Sequence, residues 1–254
     1  MPEFSLENEG NPEIIFSSRF LAPLTYHNLD QYYGWWLSYN IRPEFLKSYE
    51  MSNGMSIDEE NSGYDPDNPY IGRDPRLRLT VYCIEGEPWV YSSYGYGSLR
   101  QWATGASPKK YVDLNVIAGP NTQSDQDIVL LRYADVLLTY AEAMNETSGP
   151  VQGVYDAINE VRARQGIDMP PLPPGLSKEE MREQIRQERQ VELACEGFAL
   201  DDLKRWHTAH VVIPQITDDP GGIPRKFDEN KHYLWPIPIG EMDKNDSWDN
   251  NAGY

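Results

Sequence analysis

Between Gln126 and Trp206 the apolar residues recur at three- and four-residue steps, the spacing of one helix face. The stretch divides into four runs: DIVLLRYADVLLTYAEAMNE, VYDAINEVRARQG, SKEEMREQIRQERQVELACEG and LDDLKRWHTAH. The first carries Leu131, Ala134, Leu138 and Ala141 on one face, and Thr147-Ser148-Gly149-Pro150 breaks it. The second aligns Tyr155, Ile158 and Val161. Ser177 and Glu180 open the third as a capping box, and Gly197 is the expected stop. Small residues (Ala134, Ala141, Ala143, Ala157, Ala163) allow helices to approach closely. Short connections favour antiparallel neighbours, so the runs read as two helical hairpins of tetratricopeptide-like geometry. The fold class expected is mainly α, with long loops and a few short strands.

The flanking segments differ in character. Residues 1–125 are rich in loops and aromatics, residues 126–210 are helical, and residues 211–254 form an extended segment and tail expected to pack on the helices. These three stretches are read as parts of one structural domain. EIIFSSRF alternates as a short strand, and a helix is expected from Arg42 to Tyr49 with Pro43 in its first turn. Residues 50–72 are dense in Gly, Asn, Asp and Pro and read as a loop. RDPRLRLTVYCIEG reads as a turn or short helix leading to a strand, which a turn at Glu85-Gly86 would pair with WVYSSYGYG.

Several of these segments together resemble one family. PEIIFSSRF (residues 12–20), RDPRLRLTVY (residues 73–82), LLRYADVLLTYAEAMNE, the AINEVRAR run, IRQERQVELACEGFALDDLKRW, YLWPIPIGEMDKN and a terminal NNAGY occur in the order found in the C-terminal half of the SusD/RagB family. The resemblance implies a nutrient-binding outer-membrane lipoprotein that faces outward and has no enzymatic activity. It implies a glycan or oligosaccharide ligand, and a SusC-like TonB-dependent transporter as partner. It also implies that an N-terminal half, with the signal peptide and lipid-acceptor cysteine of relatives, is absent here. Membrane attachment is therefore expected only through a lipid anchor that this chain lacks.

Composition narrows the function classes. A net charge of -18 argues against nucleic acid, whose phosphates would be repelled. No apolar run approaches the length that spans a bilayer. Tyrosine (17) and tryptophan (7) far outnumber phenylalanine (6), a bias toward rings with a polar handle that suits wet binding surfaces. A sugar offers an apolar CH face for such a ring and hydroxyls for polar neighbours. The candidate ligand-binding residues are Tyr33, Trp35, Trp36, Trp89, Tyr94 and Trp102. Neighbouring residues on a strand point opposite ways, so one of Trp35 and Trp36 at most would face the ligand. The alternative reading is a peptide- or protein-binding helical module of the same family.

Three other groupings carry weaker readings. Glu188, Glu192 and Glu196 stack at four-residue steps and resemble a glycosidase carboxylate set. Salt bridges to Arg186, Arg189, Lys204 and Arg205, joining this helix to DDLKRW, account for the same residues. His207 and His210 are spaced to hold a metal, but no third ligand is apparent, so they read as cations at a helix C-terminus. Asp65-Pro66-Asp67-Asn68 offers hard oxygens to calcium, without the spacing of an EF-hand, and reads as a solvated turn. No other cofactor is expected.

Overall fold

A computed structural model describes residues 9–35, 39–83, 104–113, 116, 123–217, 223–245 and 247–254, without the side chains of residues 34 and 35. In chain order the elements are β1 (Ile14–Ser18), a π-helical turn (Gln31–Trp35), α1 (Pro43–Lys47), α2 (Pro75–Thr80), β2 (Val81–Tyr82), β3 (Ser107–Pro108), β4 (Ile128–Arg132), α3 (Tyr133–Ser148), α4 (Gln152–Arg162), α5 (Lys178–Glu192), α6 (Phe198–Arg205), α7 (Ala209–Val212), a 3-10 turn (Ile213–Gln215) and α8 (Ile239–Met242). The chain divides into two compact units, Met1–Glu196 and Gly197–Tyr254. That boundary falls inside the helical stretch at residues 126–210. The mainly helical architecture agrees with the sequence reading.

The first unit is built around α3, α4 and α5. Ala134, Leu138 and Ala141 of α3 meet Val154, Ala157, Ile158 and Val161 of α4 and Met181 and Ile185 of α5 in one buried cluster. Ala143 and Ala163, expected at close approaches, are exposed instead. Asn145 is fully buried, and its Nδ2 donates to the Lys178 carbonyl at 2.9 Å, tying the end of α3 to the start of α5. The α5 start is as its sequence requires. Ser177 Oγ accepts from the Glu180 backbone N–H at 3.2 Å, and Glu180 Oε2 accepts from the Ser177 N–H at 2.7 Å.

Several boundaries differ from the sequence reading, and the run LDDLKRWHTAH divides into α6 and α7. Ile128–Arg132 is a strand and not the first turn of a helix. It pairs antiparallel with β1 through Ile14↔Arg132, Phe16↔Leu131, Ser17↔Val129 and Ser18↔Ile128. Ile128 and Val129 are β-branched, and β1 supplies the partner their backbone needs, so tertiary pairing overrides the helical spacing of Leu131. Arg132 is still extended (φ -140, ψ 162), and α3 starts one residue later.

The helix α5 stops at Glu192 and not at Gly197. Its last carbonyl, of Glu192, accepts from Arg132 Nη2 at 2.9 Å and Lys110 Nζ at 3.2 Å. Two cations thus satisfy an orphan acceptor that would otherwise favour another turn. Gly197 does hold the left-handed conformation (φ 93), but as the N-cap of α6.

The smaller elements form a second buried cluster. Leu46 of α1, Leu77 of α2 and Val81 of β2 pack with Ile41, Tyr49, Ala106 and Val191. Pro43 opens α1 at its first position, as read. Among the described residues β2 pairs with β3, through Val81↔Pro108 and Tyr82↔Ser107. The hairpin expected with WVYSSYGYG lies outside the described residues. Among the described residues no helix is long and apolar enough to cross a membrane.

Candidate functional site

The aromatic-rich segment is described up to Trp35 and again from Tyr39. Its entry is pinned at several points. The His27 ring (Nε2) lies 2.8 Å from the Gln126 carbonyl oxygen, and the backbones of His27 and Ser124 exchange two hydrogen bonds of 3.0 Å. Asp30, fully buried, accepts from the Asp113 N–H at 2.5 Å. Burial raises the Asp30 carboxyl above its ordinary value, against the pull of the Asp113 and Ser124 hydrogen bonds and of His27.

On this base stand three tyrosines. Tyr33 packs against Tyr111 and Val129, beside Ile14 and Leu29, and burial pushes its phenol above the usual range. Tyr32 and Tyr39 are 42% and 53% exposed. The Tyr39 ring meets Tyr33 edge-on at 5.5 Å and Tyr32 at 6.1 Å, both within the range of favourable aromatic pairs. Of the sequence candidates, then, Tyr33 buttresses an exposed pair that was not singled out. Trp35 ends the same π-helical turn. Trp36, Trp89, Tyr94 and Trp102 lie outside the described residues. Aromatic density pointed to the segment, but which rings face solvent depends on the remote partners Tyr111 and Val129.

A cleft of about 650 Å³ opens elsewhere in the same unit, lined by Tyr49, Glu50, Asn53, Gly54, Pro170 and Gln187 among others. Its walls are cross-tied. Arg73 Nη2 donates to the carbonyls of Leu46 and Tyr49 at 2.8 and 2.6 Å, Gln187 donates to the Ser48 carbonyl, and Arg162 joins Glu50 at 2.8 Å to the Pro170 carbonyl at 2.8 Å. Gly54 is left-handed (φ +82), and a Cβ there would sit 2.7 Å from Pro170 Cγ, so only glycine closes this corner. The lining mixes polar and apolar groups, and its amides and carboxylates suit hydroxyl groups.

The three stacked glutamates are buried in a charge cluster. Glu192 accepts from Arg132 Nη1 at 2.7 Å, from Arg164 Nη2 at 2.8 Å and from Arg76 Nη1 at 3.1 Å. Glu188 binds Arg76 and, at 3.0 Å, Arg162. Glu196 accepts from Lys110 at 2.7 Å and from Arg132 Nε at 2.7 Å. The expected salt-bridge partners are thus corrected. Arg189 pairs with Asp135 at 3.0 Å, Arg186 with Glu183 at 3.2 Å and Arg205 with Asp202 at 2.7 Å, while Lys204 lies 4.4 Å over the Trp235 ring. Burial alone would raise the Glu192 and Glu196 carboxyls. Arg132, Arg164, Arg76 and Lys110 more than reverse this at Glu192, as Lys110 and Arg132 do at Glu196, and hold both below the ordinary value. A glycosidase acid needs the opposite shift and an open face. Glu192 and Glu196 have neither.

At the calcium candidate, Asp65 accepts from the Asp67 N–H at 3.0 Å and from Asn68 Nδ2 at 2.7 Å, and these bonds lower its carboxyl. Its oxygens serve their own turn.

A model of the SusD family matches residues 7–254. SusD-like protein P2 of Formosa agariphila is 34% identical over 224 residues, covering 84% of this chain and 43% of the relative. A SusD-like protein from Bacteroides fragilis superposes with a TM-score of 0.74 at 23% identity, covering 99% of this chain and 56% of its own. A second structure from that organism, described as a SusD-like carbohydrate binding protein, gives a TM-score of 0.69 at 26% identity, covering 92% and 54%. The chain thus spans about half the length of these relatives.

Proposed function

The chain belongs to the SusD family, and on that premise we propose that it captures an oligosaccharide at the outer cell surface, chemically unaltered, for delivery to a SusC-like TonB-dependent transporter. The observation that carries this reading is the exposed pair Tyr32 and Tyr39, braced by the half-buried Tyr33 on a turn anchored through His27 and Asp30. Rings held this way meet the CH face of a sugar with little ordering left to do. Trp35 follows on the same turn, and Trp36, Trp89, Tyr94 and Trp102 complete the proposed set from the sequence. A carbohydrate-binding relative of the same fold supports the ligand class. Each stacked ring contributes about 1–2 kcal/mol, so affinity falls in the roughly micromolar to millimolar range. Weak capture suits a protein that must release its ligand to a transporter. Attachment to the membrane would come from a lipid anchor.

Isothermal titration against soluble polysaccharides and peptides tests the reading. Glycan binding that drops about 30-fold or more in a Tyr32→Ala/Tyr39→Ala variant supports it. Unchanged affinity after Trp35→Ala/Trp36→Ala removes those two rings from the site. Peptide binding with glycan silence would replace this reading with that of a peptide-binding helical module.

A further inference from the structure

In the second unit the backbone turns sharply after α6, and the turn gathers two imidazoles and a carboxylate. His207 is left-handed (φ 56), so α6 and α7 are separate helices, and its ring and that of His210 lie 5.2 Å apart. Glu229, 22 residues beyond His207, reaches both: its Oε1 lies 3.1 Å from His207 Nε2 and 3.7 Å from His210 Nε2. One donor atom from each of the three residues lies within 4.8 Å of the others.

The rings are also held from behind. Tyr233 Oη lies 2.7 Å from His210 Nδ1 and accepts from the His210 backbone N–H at 3.3 Å. The tautomer in which Nδ1–H donates to that hydroxyl leaves Nε2 as a bare lone pair facing Glu229. The His207 ring stacks on the Tyr233 ring at 4.3 Å and 24°. Phe227 packs edge-on to Tyr233 at 5.0 Å. Asp228 and His232 close the loop that carries Glu229: the Asp228 N–H donates to His232 Nδ1 at 2.7 Å, and the His232 N–H donates to the Asp228 carbonyl at 2.9 Å.

We propose that His207, His210 and Glu229 form a binding site for a divalent transition metal of the zinc class, with Tyr233 positioning the His210 ring. Two neutral imidazoles and one carboxylate are the donors such ions prefer, and they discriminate against calcium, which takes oxygen ligands. Tetrahedral ligands about 2.0–2.1 Å from zinc stand about 3.3–3.5 Å from each other, and the two measured separations bracket that spacing. His207 and Glu229 are exposed, which leaves a coordination position for water or an incoming group. The bound ion clamps the loop at Phe227–Tyr233 to the junction of α6 and α7. The site is independent of glycan capture.

The test is titration of the full, tag-free chain with zinc chloride in a buffer that does not chelate, followed by thermal unfolding with and without the ion. One equivalent bound, with a Tm rise reversed by EDTA, is the expected result. Glu229→Gln should weaken binding tenfold or more, and His207→Ala/His210→Ala should abolish it. Tyr233→Phe keeps the stack but removes the hydroxyl, and should weaken binding about 10–100-fold, as loss of an orienting hydrogen bond does. Cobalt(II) should give the visible absorption of a tetrahedral site, absent in the double variant. Circular dichroism identical to wild type shows that each variant is folded. No binding by the wild-type chain, or equal affinity and stoichiometry in the double variant (an adventitious ion only), overturns the proposal.

Discussion

The two halves of α5 bury one continuous stripe with two opposed chemistries. Met181, Ile185, Glu188 and Glu192 follow one another at four-, three- and four-residue steps, and all four are buried. The first two enter the apolar cluster of α3 and α4. The second two enter a cluster of guanidinium groups contributed by Arg76, Arg132, Arg162 and Arg164. The geometry of burial is the same, and the energetics are not. Apolar burial is non-directional and forgives small shifts. Buried charge must recover a large desolvation cost through well-placed partners, and losing one partner leaves the others stranded.

The sharpest way to expose this difference is Glu192→Ala. It takes a carboxylate partner from Arg132, Arg164 and Arg76 at once, and should cost about 3–5 kcal/mol in urea denaturation. Ile185→Ala, two steps up the stripe, should cost about 2–5 kcal/mol through lost contacts and a cavity. A cost at Ile185 above that at Glu192 would show that the apolar half dominates.

Acid separates the halves more cleanly than size. Glu192 and Glu196 have folded-state pKa values below the ordinary 4.5, so their stabilisation is full above about pH 5 and drains as the pH falls through the folded values. Asp30 and Glu50, raised by burial, act in the opposite sense and cost less as they protonate. Stability measured from about pH 7 to about pH 3 should therefore fall in wild type and, in parallel, in Ile185→Ala. The fall should be shallower in Glu196→Gln. Equal slopes in wild type and Glu196→Gln would place the acid-sensitive groups elsewhere.

Two smaller effects mark the ends of the scale. Ser177→Ala removes half of the capping box and should cost about 1 kcal/mol, readable in the same denaturation curves. Arg182→Ala removes an exposed pair with Glu146, whose carboxyl Arg182 holds down at about 2. Its cost should be within about 1 kcal/mol and should shrink with added salt.

What was legible in the sequence follows the same line. The capping box, the α3–α4 hairpin and the Pro43 helix start are local, and periodicity and turn chemistry report local structure well. The apolar residues of Ile128–Arg132 continue the spacing of α3, but their partner is β1, more than a hundred residues earlier. For Glu188, Glu192 and Glu196 the sequence offers salt-bridge partners close by in the chain. Their actual partners are up to 116 residues away, at distances no short motif encodes. At the aromatic turn the density of rings was visible, whereas the exposure of Tyr32 and Tyr39 depends on how Tyr33 docks on Tyr111 and Val129.

The charged half of α5 also bears on how this chain can vary. An apolar position such as Ile185 can drift one substitution at a time through residues of similar volume. Glu192 cannot, because three arginines from separate segments share its two oxygens, and no single replacement suits them all. A viable route away from it requires coordinated changes at distant positions, passing through intermediates less stable than either end. In lineages descending from this sequence, that corner of the fold should vary as a unit or stay as it is.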